Sequence, residues 1–100
     1  MITEDFIKEL RSKSRLPKTM AIRQSVYYLL YKQGLSGNEL ERHFACTKRN
    51  IYYGMYSFRD RLSMKDEVSV AAYQESLSHE ILCKGDKING YVITIDGVEL

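Results

Sequence analysis

Two helix starts follow one another at short range in residues 36–61, SGNELERHFACTKRNIYYGMYSFRDR, and this stretch constrains the fold most. Ser36 stands three residues before Glu39, the spacing of a capping box, and Leu35 and Leu40 flank it as a hydrophobic staple. Thr47 repeats the pattern, with Cys46 before it and Ile51 after it. Only Ala45 and Cys46 lie between Phe44 and the second cap. Two capped amphipathic segments joined by so short a turn predict a helix-turn-helix. In versions that bind DNA the second helix enters the major groove. The same unit also serves as a plain tri-helical core or a protein-binding module. Here Thr47, Lys48, Arg49 and Asn50 open the second helix, a polar and cationic start.

The apolar residues of that helix, Ile51, Met55, Phe58 and Leu62, recur at helical spacing and define a buried face. Gly54 lies beside this face, which predicts close packing by another helix, since a mid-helix glycine costs about 1 kcal/mol against alanine. Tyr52, Tyr53 and Tyr56 are then left toward the sides and the open face. Upstream, Thr3 is placed to cap a short helix over 4–12, with Phe6, Ile7 and Leu10 on one side. Pro17 breaks the chain and suits the first turn of the next helix, over 17–33. Ile22, Val26, Leu29, Leu30 and Gln33 form its stripe, and Gly34 supplies a left-handed stop. Downstream, Ser63 with Asp66 reads as a further capping pair. A helix over 64–82 follows, with Val70, Tyr73, Leu77 and Ile81 inward, ended by Lys84-Gly85. In the tail, Asn89-Gly90 and Asp96-Gly97 are two-residue hairpin signals. They separate strands at 86–88, 91–95 and 98–100, a meander too small to stand alone. It must lie on the helices, extend a partner's sheet, or pair with itself in a dimer.

These elements predict a mainly α fold, with a tri-helical helix-turn-helix core, flanking helices and a small C-terminal antiparallel β-hairpin or meander. One hundred residues suit one domain, divided into a core at 13–62, a C-terminal helix at 63–83 and the hairpin tail at 86–100. No apolar run is long enough to span a membrane. Residues 1–10 mix charges and lack the apolar stretch of a secretion signal. Cys46 and Cys83, both in apolar settings, fit a reducing cytoplasm.

Charge is distributed unevenly. Residues 11–61 hold eleven cationic side chains against three anionic ones, net +8, while 62–100 net −4 and 1–10 net −2. A cationic middle between acidic ends is an electrostatic footprint for a polyanion, and equally describes a set of solvated faces.

The segment Arg23-Gln24-Ser25-Val26-Tyr27-Tyr28-Leu29, followed by Leu35-Ser36, Glu39-Leu40 and Phe44, resembles the C-terminal DNA-binding domain of the bacterial replication initiator DnaA. That domain is of the Trp-repressor-like helix-turn-helix group, and the resemblance covers about residues 15–62. It implies a helical DNA-binding domain whose second motif helix reads bases. Arg23 matches the family's arginine at the start of the long helix. Arg15 falls where the family has a basic loop residue reaching the minor groove. The family's Gly-Gly-Arg-Asp-His-Thr-Thr-Val stretch is here Ala45-Cys46-Thr47-Lys48-Arg49-Asn50-Ile51, one residue shorter and chemically different, so the initiator's own target is not expected. No Walker-type nucleotide loop is present.

Catalysis finds little support: there are two histidines, no nucleophile elbow and no glycine-rich cradle. His43, Cys46, His79 and Cys83 could be assembled into a zinc site by spacing alone. The plainer reading makes Cys46 a small core side chain and puts His43 on the exposed side. The expectation is a non-enzymatic, cofactor-free protein that binds double-stranded DNA, as a small transcriptional regulator or replication-associated factor. Thr47, Lys48, Arg49, Asn50, Tyr52, Tyr53 and Tyr56 would form the reading surface. Thr47 and Asn50 would place a phosphate at the helix start. Arg15, Lys18, Arg23 and Arg42 would hold the flanking backbone. The alternatives are RNA or single strands stacked on the tyrosines, and a protein-interaction module. A homodimer or protein partner would then use the C-terminal hairpin.

Overall fold

Pro17 opens the longest regular segment at its first turn, where its missing N–H is not needed. The computed structural model describes residues 1–100 and places five helices in order: α1 (Thr3–Arg11), α2 (Pro17–Lys32), α3 (Gly37–Phe44), α4 (Lys48–Ser63) and α5 (Glu67–Leu77). Three strands follow, β1 (Ile81–Asp86), β2 (Gly90–Ile95) and β3 (Val98–Glu99), in one antiparallel sheet of order β1-β2-β3. The fold is mainly α with a tri-helical unit, α2–α4, and a C-terminal meander. No helix is long and apolar enough to cross a membrane.

α2 is the central strut. Ile22, Val26 and Leu30 are buried, while Leu29 is only partly covered. Gly34 takes φ +107°, and Leu35 N–H returns to the Leu30 carbonyl, the geometry in which glycine ends a helix. Ser36 and Thr47 cap α3 and α4, accepting from the N–H groups of Glu39 and Asn50. The capping box is not reciprocal, because the Glu39 carboxylate turns to Arg42 at 3.2 Å. Ala45 alone turns the corner in the left-handed region, φ 48°. Ile51, Met55 and Phe58 are fully buried along α4, and Leu62 partly so.

Four expectations about the second half are corrected. The helix after α4 begins at Glu67, capped by Asp66, whose carboxylate accepts from Ser69 N–H. Ser63 is still inside α4 and donates to the Asp60 carbonyl. The buried face of α5 is Ser69, Ala72 and Ser76, while Leu77 is 56 % exposed. Small residues let α5 lie close on α2, where Ser76 and Ser25 hydroxyls meet at 2.9 Å in full burial. Residues 81–86 are strand rather than helix end. Gly85 takes a positive φ of 121° in the pairing with β2, and a Cβ there would fall 2.0 Å from the Gly90 carbonyl oxygen. Asn89-Gly90 is therefore not a two-residue loop: Asp86 pairs with Gly90, and Lys87, Ile88 and Asn89 form the turn. Asp96-Gly97 is the two-residue turn expected, with both φ positive, 51° and 83°.

The meander lies on its own helices. Ile81, Ile93 and Ile95 join the core with Phe6, Leu10 and Leu30, and Tyr91 packs at its edge. The outer rim of β1 is covered from α2: the Gln33 amide donates to the Ile81 carbonyl at 2.7 Å and accepts from Cys83 N–H at 3.1 Å. An edge whose groups are satisfied in this way is a poor template for another strand. At the first helix, Thr3 is not the cap. It lies inside α1, and its hydroxyl donates to Asp96 instead.

Candidate nucleic-acid interface

The exposed side of α4 is set by its buried one. With Ile51, Met55 and Phe58 inward, Arg49, Tyr53 and Tyr56 share the opposite face. Tyr53 is 77 % exposed and Tyr56 43 %. Lys48, Arg49 and Asn50 are exposed at the helix start. Thus Arg49, Tyr53 and Tyr56 stand together on an open surface, with Lys48 and Asn50 exposed to either side of it at the helix start.

Beside this face runs a cleft of about 760 Å³ between the α1–α2 loop, α2, the α3–α4 turn and α4. Asn50, Tyr53 and Gly54 form one wall. Arg11, Lys13 and Arg15 form another, with Arg23 and His43 between them. No aspartate or glutamate side chain lines it. Its apolar floor includes Tyr27 and Cys46. Burial, and then the neighbouring Cys46, push the Tyr27 phenol up to about 12, so it stays neutral. Arg11, Lys13 and His43 were not singled out as site residues from the sequence. Their local context marks them only as scattered basic positions, and the fold of α1 back toward α4 is what joins them.

Several expected contacts have other partners. Arg23 donates to the carbonyls of Ser12 and Ser14 and so braces the α1–α2 loop. It is a support for Arg15 and Lys13 rather than a free cation. Tyr52 is half-buried: its oxygen accepts from Gly37 N–H at 3.1 Å, and its ring fills the space a Cβ at Gly37 would need. It pins α3 to α4. Arg42 pairs with Glu39 on an exposed face of α3. Lys18 is exposed in the first turn of α2, outside the cleft. Thr47 is committed as a cap, and the Glu41 carboxylate already accepts from Lys48 N–H at 2.6 Å. The start of α4 therefore carries a carboxylate of its own, which opposes the phosphate expected there.

The tyrosines interact chiefly with one another. Tyr52 stacks on Tyr56 at 5.9 Å between centroids, and Tyr31 meets Tyr52 edge-on at 6.1 Å. Arg59 lies over the Tyr56 ring at 5.1 Å. Tyr56 also raises the Tyr31 pKa, by its charge and then by their hydrogen bond. Tyr53 is outside this cluster.

His43 and Cys46 line the cleft, whereas His79 is buried against Phe6 with ring centroids 4.2 Å apart. No group of three or more His, Cys, Asp or Glu side chains has the arrangement of a metal site. No protein-family model, curated protein or solved structure matches the chain.

Proposed function

We propose that this protein binds duplex DNA through α4 and the cationic cleft beside it, as a small regulator or replication-associated factor. The observation that carries the reading is the adjacency of two surfaces. An exposed face with Arg49, Tyr53 and Tyr56 stands against a cleft with Lys13 and Arg15 and no acidic side chain. A helix held outward on a tri-helical base can enter a major groove, and loop cations beside it can meet the flanking phosphates. Arg49 is long enough to pair with guanine through two acceptors, and Tyr53 can pack on a thymine methyl or a sugar. The likeness of residues 15–62 to the initiator's DNA-binding domain points the same way, while the different turn sequence implies a different target. With Tyr52 and Tyr56 stacked on each other, Tyr53 is the one tyrosine of the face outside the cluster, which favours duplex over single strands stacked along several open rings.

The test is to select a duplex from a random pool and compare it with unselected DNA. Arg49→Ala should cost about 1–3 kcal/mol on the selected site and much less on the unselected one. Equal affinities of wild type and Arg49→Ala would remove α4 as the reader. Absence of any duplex binding at low salt would favour a protein-interaction module instead.

A further inference from the structure

We infer that the tip of the β1–β2 hairpin is a second contact on the same duplex; this rests on the DNA-binding reading above. The tip is built to hold a shape. The Asp86 carboxylate accepts from Ile88 N–H at 2.8 Å, from Asn89 N–H at 2.6 Å and from the Asn89 side chain at 3.2 Å. Glycine at 85 lets the two strands close tightly just below. At the apex of this braced turn Ile88 is 93 % exposed, flanked by the exposed Lys87. Lys84 is exposed on β1 beneath it. The only carboxylate at the tip is the one engaged inside the turn, so the outward charge is cationic.

Strand direction fixes where this tip lies. The Asp96 end of β2 is tied to Thr3, at the start of α1. Leu100, whose N–H donates to the Ile93 carbonyl, lines the cleft with Leu10 and Arg11, at the end of α1. Travelling along β2 from Ile95 to Gly90 thus runs from the far end of α1 to the cleft and on past it. Gly90 stands three positions along the strand from Ile93, so the hairpin turn lies about 10 Å beyond that level. The tip therefore projects beyond the cleft end of the fold, with Lys84 and Lys87 exposed on it, which suits a polyanion. Lys84 and Lys87 would meet phosphates, and Ile88 would pack on sugars and base edges in the adjoining groove.

The experiment uses the full chain and a labelled mixed-sequence duplex across a salt series. Lys84→Ala with Lys87→Ala should reduce the slope of log affinity against log salt by about 2. Ile88→Ser should weaken binding with the slope unchanged. All three side chains are exposed, so melting temperature should stay at the wild-type value. Tip variants that bind as wild type, while Arg49→Ala loses its selected site, would overturn the inference and leave the α4 reading standing. Wild type that binds no duplex would overturn both. A change in self-association in the tip variants, with duplex binding unaltered, would assign the tip to a second copy of the chain and likewise overturn it.

Discussion

Arg23 shows how a single side chain can support a surface without belonging to it. Its guanidinium donates to the Ser12 and Ser14 carbonyls, two acceptors eleven and nine residues back in sequence. Those carbonyls sit in the only stretch that links α1 to α2, and that stretch carries Lys13 and Arg15. A hydrogen bond with a charged donor contributes about 1.5–3 kcal/mol, less where solvent can replace it. Arg23 is half-buried, so Arg23→Ala should cost about 1–2 kcal/mol in chemical denaturation. Arg23→Lys should recover only part of this, because one ammonium cannot reproduce the planar fork. Duplex affinity should fall as well, through loss of order in the loop. A denaturation midpoint unchanged by Arg23→Ala would return Arg23 to the free cations, where the sequence had placed it.

Elements meet most tightly where side chains are smallest. Gly54 of α4 faces Gln24 of α2, and a Cβ at 54 would lie 3.1 Å from Gln24 Cγ. Gln24 is not free to swing away, because Arg61 donates to its amide oxygen while also holding Ser57 and Ser69. Gly54→Leu should therefore destabilise the protein: overpacking costs about 1–3 kcal/mol, only partly offset by about 1 kcal/mol of better helix propensity. Thermal melting reads the sign, and a rise would mean that the Arg61 clamp yields. The close approach at Gly54 was legible in the sequence, as were the caps at Ser36 and Thr47, the stop at Gly34 and the turn at Asp96-Gly97. Each of these is a local signal, written within a few residues of the place it acts. The face of α5 was legible only at Tyr73, which packs on the core, because Ser69, Ala72 and Ser76 pack by being small and leave no apolar periodicity. β1 was read as a helix end because the run Ile81-Leu82-Cys83 serves either structure, and only pairing with β2 decides it. The site divides the same way. Arg49 and Tyr53 follow from helical register alone, while Arg23, Tyr52 and the Glu41 carboxylate depend on partners 7 to 15 residues away.

At the scale of the whole molecule, Asp96 joins the two ends of the fold. Its carboxylate accepts from the Thr3 hydroxyl of α1 and from Glu80 N–H at 2.7 Å, and lies 2.6 Å from His79 Nδ1. Those partners, the Thr3 hydroxyl first, then His79 and Glu80 N–H, draw its pKa down from 3.8 to about 2. The meander that covers Ile93 and Ile95 is therefore fastened to the helices by an ionised group. A carboxyl whose folded pKa lies below its unfolded value stabilises the folded chain fully above the unfolded pKa. That contribution fades as pH falls through the folded one. The window here runs from about pH 4 down to about pH 2. Asp96→Asn is a suitable probe, because asparagine also accepts the left-handed φ of 51° that the turn requires. The variant should melt below wild type at neutral pH. The gap should hold down to about pH 4 and close toward pH 2. A gap that stays constant across that range would mean that the shape of the Asp96 side chain, and not its charge, fastens the sheet to α1.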